Sequence, residues 1–131
     1  MRKTSTILIV DDDEDDKEMF LEIVAELQAD IKCLKAGNGF EALEVLKKEA
    51  LLPDFVFLDL NMPRMNGRQC LEQLKKDANF KKIPVIIYTT SRLEEDKEQT
   101  KKLGAVHFIS KPSSLIALRI ELEKVFSKEW I

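Results

Sequence analysis

The sequence has no basic excess, no long apolar run, two cysteines and one histidine, and each shortage removes a class of function. Lys and Arg number 21 against 24 Asp and Glu, a formal net charge of −3. Without surplus positive charge there is no counterion release to drive direct nucleic-acid binding or adhesion to an anionic membrane. No apolar stretch approaches the ~20 residues that cross a bilayer. Met1 to Thr6, followed by four apolar residues, does not make a signal peptide. The expectation is a cytoplasmic chain with no membrane partner. Cys33 and Cys70 are far apart and lack paired-ligand spacing, which predicts small buried thiols rather than a disulfide or a zinc site. His107, the only histidine, falls in an apolar run, which predicts packing or hydrogen bonding inside the fold and argues against a phosphohistidine carrier.

What is present is a chain of 131 residues, 44% hydrophobic and 34% charged. That is enough for one domain over residues 1–131 to bury a core without a disulfide or a structural metal. Five short apolar runs alternate with five segments of helical period. Ile7 to Val10, Asp54 to Leu60 and Pro84 to Thr89 are continuous, as strands buried on both faces of a parallel sheet are. Ile31 to Ala36 and Val106 to Ser110 are mixed and suit positions nearer an edge. Phe20, Ile23, Val24 and Leu27 make one helical stripe, Ala42, Val45 and Leu46 a second, and Gly67, Cys70, Leu71 and Leu74 a third. Leu93 to Leu103 is mostly charged with a weak stripe. Leu115, Leu118, Leu122, Val125 and Phe126 form a strong one, with Ile116 and Ile120 on a separate face. Strand and helix alternating five times predicts right-handed crossovers and a doubly wound α/β sheet with helices on both faces. Ligands of such sheets bind outside the carboxyl ends of the strands.

Those ends carry the chemistry. Six acids run from Asp11 to Asp16. Glu14 to Asp16 suit the positive end of a helix dipole, whereas Asp11 and Asp12 stand at the strand tip and Asp59 stands at the tip of the central strand. Three converging carboxylates repel one another unless a cation lies between them, and an all-oxygen donor set points to Mg²⁺ over zinc. Thr89, Thr90 and Ser91 follow the fourth run and Lys111 with Pro112 the fifth. Carboxylates, a metal, a hydroxyl and an ammonium together suit a phosphoryl group, since all but the carboxylates supply its oxygens with positive charge or a donor.

ILIVDDDEDD, FVFLDLNMPRMNG (Phe55 to Gly67), PVIIYTTS (Pro84 to Ser91) and GAVHFISKP (Gly104 to Pro112) together resemble the receiver domain of two-component response regulators, of the stand-alone chemotaxis-receiver type. The resemblance covers essentially the whole chain in order. It implies a five-stranded parallel sheet of order 2-1-3-4-5, flavodoxin-like. It implies Asp59 as phosphoacceptor, Asp11, Asp12 and Asp59 with the Asn61 backbone carbonyl as Mg²⁺ ligands, and Thr89 and Lys111 as the groups that meet the phosphoryl. Thr89 and Phe108 would be the switch pair, and the Lys111 to Pro112 bond would be cis. The donor would be a sensor histidine kinase or a phosphotransfer protein, and the protein would catalyse its own modification without being a conventional enzyme. The sequence ends at Ile131 directly after the fifth helical segment, so no output domain is expected and the output is a downstream protein partner or onward phosphotransfer. Ile116 and Ile120 are expected on a partner or self-association surface, giving a homodimer on phosphorylation. Two other readings compete: a Mg²⁺-dependent aspartyl phosphohydrolase, for which a general acid is lacking where Asn61 stands, and a pseudo-receiver that only docks partners.

Overall fold

A computed structural model describes residues 4–127; the ends of the expected 1–131 domain lie outside the described residues. Strands β1 (Thr6–Val10), β2 (Lys32–Ala36), β3 (Phe55–Leu58), β4 (Val85–Thr89) and β5 (His107–Ser110) alternate with helices α1 (Glu14–Leu27), α2 (Gly39–Lys48), α3 (Gly67–Lys76), α4 (Glu94–Lys102) and α5 (Leu115–Ser127). All strands are parallel, in the order β2-β1-β3-β4-β5. The doubly wound α/β sheet expected from the alternation is therefore present, with the two mixed runs at its edges.

Strand side chains alternate between two cores. Leu8, Val10, Val56, Leu58, Val85 and Ile87 pack with Ala42, Leu46, Cys70, Leu71 and Leu74 of α2 and α3. Ile7, Ile9, Phe57, Ile86 and Tyr88 pack with Phe20, Ile23, Val24, Leu118, Leu122 and Val125 of α1 and α5. The period of two in the strands thus feeds both faces, which is why the central runs are continuously apolar.

Helix starts follow local chemistry. Asp13, Asn38 and Asn66 each cap a helix by accepting a backbone N–H three residues on, and Asn66 with Gln69 forms a reciprocal capping box. The Ser114 hydroxyl accepts the Ala117 N–H at the start of α5. Helix α4 is the loosest: its N-cap is Leu93, with no side-chain bond, and Thr100 is its one buried residue. Directly after its C-cap Leu103 stands Gly104, whose φ of 111° is open to glycine and strained for other residues.

Three expectations are corrected. Leu115 is 44% exposed, because it is the first residue of α5 and the buried part of the stripe begins a turn later, at Leu118. His107 is exposed, because it is the first residue of edge strand β5, while Ile109, two residues on and on the same face, is buried; burial of the histidine is corrected, and its engagement in an interaction is not. Cys33, on edge strand β2, is only half-buried, whereas Cys70 is fully buried and burial pushes its thiol up to about 12; both are free.

Candidate functional site

The sheet ladder itself brings two acids together. The Asp11 N–H donates to Ala36 O at 3.0 Å and the Asp59 N–H to Val10 O at 3.0 Å, so each acid occupies the rung just past its strand. Because β1 and β3 are hydrogen-bonded neighbours, their tips lie side by side. Asp11 and Asp59 are buried, Asp12 is exposed beside them, and one carboxylate oxygen from each lies within 4.8 Å of the others. Gly67 pins the loop that carries Asp59. Its N–H donates to Leu60 O at 3.0 Å, and a Cβ there would stand 2.1 Å from the Asp59 carbonyl oxygen, so only glycine lets α3 begin this close. The Asn61 N–H donates to Asp59 Oδ1 at 3.3 Å, and Arg64, farther along the same loop, has a left-handed φ of 66°.

Lys111 enters from the tip of β5. Its N–H donates to Thr89 O at 2.6 Å, which fixes its backbone beside the end of β4. Its ammonium donates to Asp11 Oδ2 at 2.6 Å, Asp16 Oδ2 at 2.7 Å and Asp59 Oδ2 at 3.5 Å, with 8% of the side chain exposed. Lys111 is therefore a buried, paired ammonium and not a surface charge. The Lys111 to Pro112 bond is trans, for no cis peptide occurs among the described residues. The resemblance implied cis, but the two forms of an X–Pro bond differ by under ~1 kcal/mol and the surrounding chain decides between them.

Electrostatics follow from this packing. Burial pushes the Asp11 carboxyl up from 3.8 to about 6, against the lowering pull of the Lys111 bond and the Asp13 N–H. Burial also pulls the Lys111 ammonium down, but its bonds to Asp11 and Asp16 and the charge of Asp59 outweigh this, leaving it above its ordinary 10.5. The site holds one cation against four carboxylates, and a carboxylate set of this kind, free of His and Cys, suits a hard divalent cation.

Thr89 is fully buried at the end of β4, and its hydroxyl accepts the Ser91 N–H at 3.4 Å. Phe108 is half-buried and packs on the α2–α3 side of the sheet, paired in register with Ile87, two residues before Thr89. From Ser91 a polar chain leads to α4: the Ser91 hydroxyl donates to Asp96 Oδ2 at 2.5 Å, and Asp96 also takes a short ion pair from Arg68 of α3. Arg68 Nε bonds Gln99 at 3.1 Å. The structure thus brings together Asp11, Asp12, Asp59 and Lys111, with Asn61 on the loop that follows Asp59 and Thr89 at the end of β4, where its carbonyl accepts the Lys111 N–H. Asp16 was missed. Reading it as a helix-dipole acid was correct for its backbone, which the Asp13 cap holds at 3.0 Å, but its carboxylate is committed to a lysine 95 residues away.

The sequence profile described as "Response regulator receiver domain" matches residues 7–123. Protein PilH of Pseudomonas aeruginosa is 42% identical over 107 residues, covering 81% of this chain and 84% of PilH. Among solved structures, the phosphorylated cyanobacterial phytochrome response regulator RcpA superposes with a TM-score of 0.84 at 29% identity, covering 93% of this chain and 91% of RcpA. The response regulator Rcp1, solved in a Mn²⁺-bound form, gives a TM-score of 0.82 at 26% identity over 94% of this chain and 92% of its own. Sheet order, clustered strand-tip carboxylates and the profile match over nearly the full length agree: the chain belongs to the response regulator receiver domain family.

Proposed function

We propose that this receiver takes a phosphoryl group from the phosphohistidine of a sensor histidine kinase, or of a phosphotransfer protein, onto Asp59 and so switches a protein-binding surface. The observation that carries the reading is the placement of the Lys111 ammonium among the carboxylates of Asp11, Asp16 and Asp59 at the strand tips. Asp11, Asp12 and Asp59, with the Asn61 backbone carbonyl, would hold Mg²⁺; the Mn²⁺-bound form of Rcp1 supports a divalent cation in such a fold. Bound there, the cation would neutralise the charge of the acids and of the incoming phosphoryl oxygens.

The chain's own groups account for the rest. An Asp59 carboxylate oxygen attacks phosphorus in line, the P–N bond to the donor imidazole breaks with its electron pair on nitrogen, and the ring, already protonated on its other nitrogen, leaves as neutral imidazole. Lys111 meets one phosphoryl oxygen with its ammonium, and Thr89 offers a hydroxyl at the end of β4. Phosphorylation adds about −1.5 to −2 charge at that point. To bond it Thr89 turns away from the Ser91 N–H, and Phe108, beside it on the same sheet face, repacks. Helix α4 is the element best placed to respond, being uncapped at its start and buried at Thr100 alone.

The output surface in this reading includes Ile116 and Ile120, which are 75% and 50% exposed on the outer side of α5. With Mg²⁺ and acetyl phosphate the protein gains one phosphate and Asp59→Asn gains none; labelling of the variant would refute the assignment. Sedimentation with and without beryllofluoride tests self-association, and Ile116→Glu with Ile120→Lys abolishes it if these residues form the contact. Among the described residues no helix is long and apolar enough to cross a membrane.

A further inference from the structure

The arrangement around Lys111 contains one group that the phosphoryl reaction does not use. An ammonium has three protons, and all three are engaged, by Asp11 at 2.6 Å, Asp16 at 2.7 Å and Asp59 at 3.5 Å. For Lys111 to bond a phosphoryl oxygen, one of these contacts must open. Asp11 is fully buried, and a buried carboxylate that loses its cation is left without water to replace it. The longest contact, to Asp59, leads to the phosphorylated residue itself. Asp16 differs from both. Its side chain is 31% exposed, so water can take over its hydrogen bonds, and its oxygens are outside the three-carboxylate cluster. Its position is rigid all the same, because its N–H is held by the Asp13 cap at the start of α1.

We propose that Asp16 is a positioning residue that restrains Lys111 in the unphosphorylated protein, and that Lys111 exchanges its bond to Asp16 Oδ2 for one to the phosphoryl oxygen. The inference rests on Asp59 being the phosphoacceptor. No covalent bond changes in the exchange; the proton stays on nitrogen and the acceptor oxygen is replaced. Asp16 thereby competes with the phosphoryl group for one cation, slowing phosphorylation and weakening the hold on the product. Removing its charge frees Lys111 while leaving Asp11 in place to aim it.

The test compares wild type, Asp16→Asn, Asp16→Glu and Asp15→Asn. Asp15 is exposed on the same helical turn and serves to remove one charge nearby without touching Lys111. With acetyl phosphate and saturating Mg²⁺, Asp16→Asn should take phosphate about twofold to fivefold faster than wild type, the range for loss of a partly exposed ion pair. Asp16→Glu should return close to the wild-type rate, and Asp15→Asn should stay within about twofold of it. Mg²⁺ affinity of Asp16→Asn should stay within about threefold of wild type. A rate for Asp16→Asn at or below wild type overturns the proposal, as does an equal gain in Asp15→Asn, which would make the effect one of general field. A loss of Mg²⁺ affinity beyond about tenfold would make Asp16 a metal ligand and overturn it too. If wild type itself takes no phosphate, the failure belongs to the assignment of Asp59 instead.

Discussion

Neutralising Asp11 should make the metal-free protein more stable. The Asp11 carboxyl is fully buried and is pushed up by that burial to about 6, despite its bonds from Lys111 and the Asp13 N–H. Between pH 3.8 and about 6 the folded protein retains a proton that the unfolded chain has released. Stability therefore falls as pH rises through that window, and the full deficit is present above pH 6. At ~1.36 kcal/mol per pH unit the deficit is about 3 kcal/mol. In Asp11→Asn the amide oxygen still accepts the Asp13 N–H, and the ammonium keeps Asp16 and Asp59. Allowing for imperfect replacement of the carboxylate, the gain at pH 7.5 should be about 1 to 3 kcal/mol. A domain of this size has an unfolding entropy near 0.27 kcal/mol per kelvin, so Tm should rise by about 4 to 11 °C. The assay is thermal unfolding followed by circular dichroism in EDTA, at pH 7.5 and again at pH 4. At pH 4 most of the difference should vanish, because wild-type Asp11 is then largely protonated. Added Mg²⁺ should raise the wild-type Tm by linkage and raise that of Asp11→Asn much less. The reasoning is refuted if Asp11→Asn melts at or below wild type at pH 7.5, or if the difference is the same at both pH values.

Asp12, exposed and within reach of the same cation, should contribute to binding with little effect on the fold: Asp12→Ala is expected to weaken Mg²⁺ about tenfold or more by titration calorimetry, and unchanged affinity would remove it from the ligand set. Gly67→Ala drives a Cβ against the Asp59 backbone, which cannot yield as a flexible side chain would; a loss of about 3 kcal/mol or more in urea unfolding is expected. Arg68→Ala removes the ion pair to Asp96 and the bond to Gln99. Amide exchange in α4 should quicken by about twofold to fivefold while the central strands stay protected, since the pair is partly exposed and its worth is modest.

Much of this protein was legible in the order of its residues. Alternation of apolar runs with helical stripes determines a parallel doubly wound sheet, because a strand buried on both faces has no polar side to show and a crossover needs a helix. That Asp11, Asp59 and Lys111 stand at the carboxyl edge was legible for a related reason: a polar side chain at the end of such a run lies at that edge, whereas the role proposed for Thr89 came from the family resemblance. The weak stripe of α4 likewise foretold a helix that barely engages the core. Tertiary structure decided what depends on distance in space. Asp16 reads as one helix-dipole acid among several until the tip of β5 brings Lys111 within 2.7 Å of it. Arg68 and Asp96 are ordinary surface residues in sequence, and with Ser91 they become a linked chain only because the Arg68 side chain reaches from the start of α3 to Asp96 of α4. His107 and Leu115 lie in patterns that suggest burial, yet each is the first residue of its element, at an end the neighbouring elements leave exposed. Periodicity reports which face of an element is apolar; whether a neighbour covers that face, and which charges meet across it, is settled only when all ten elements are packed together.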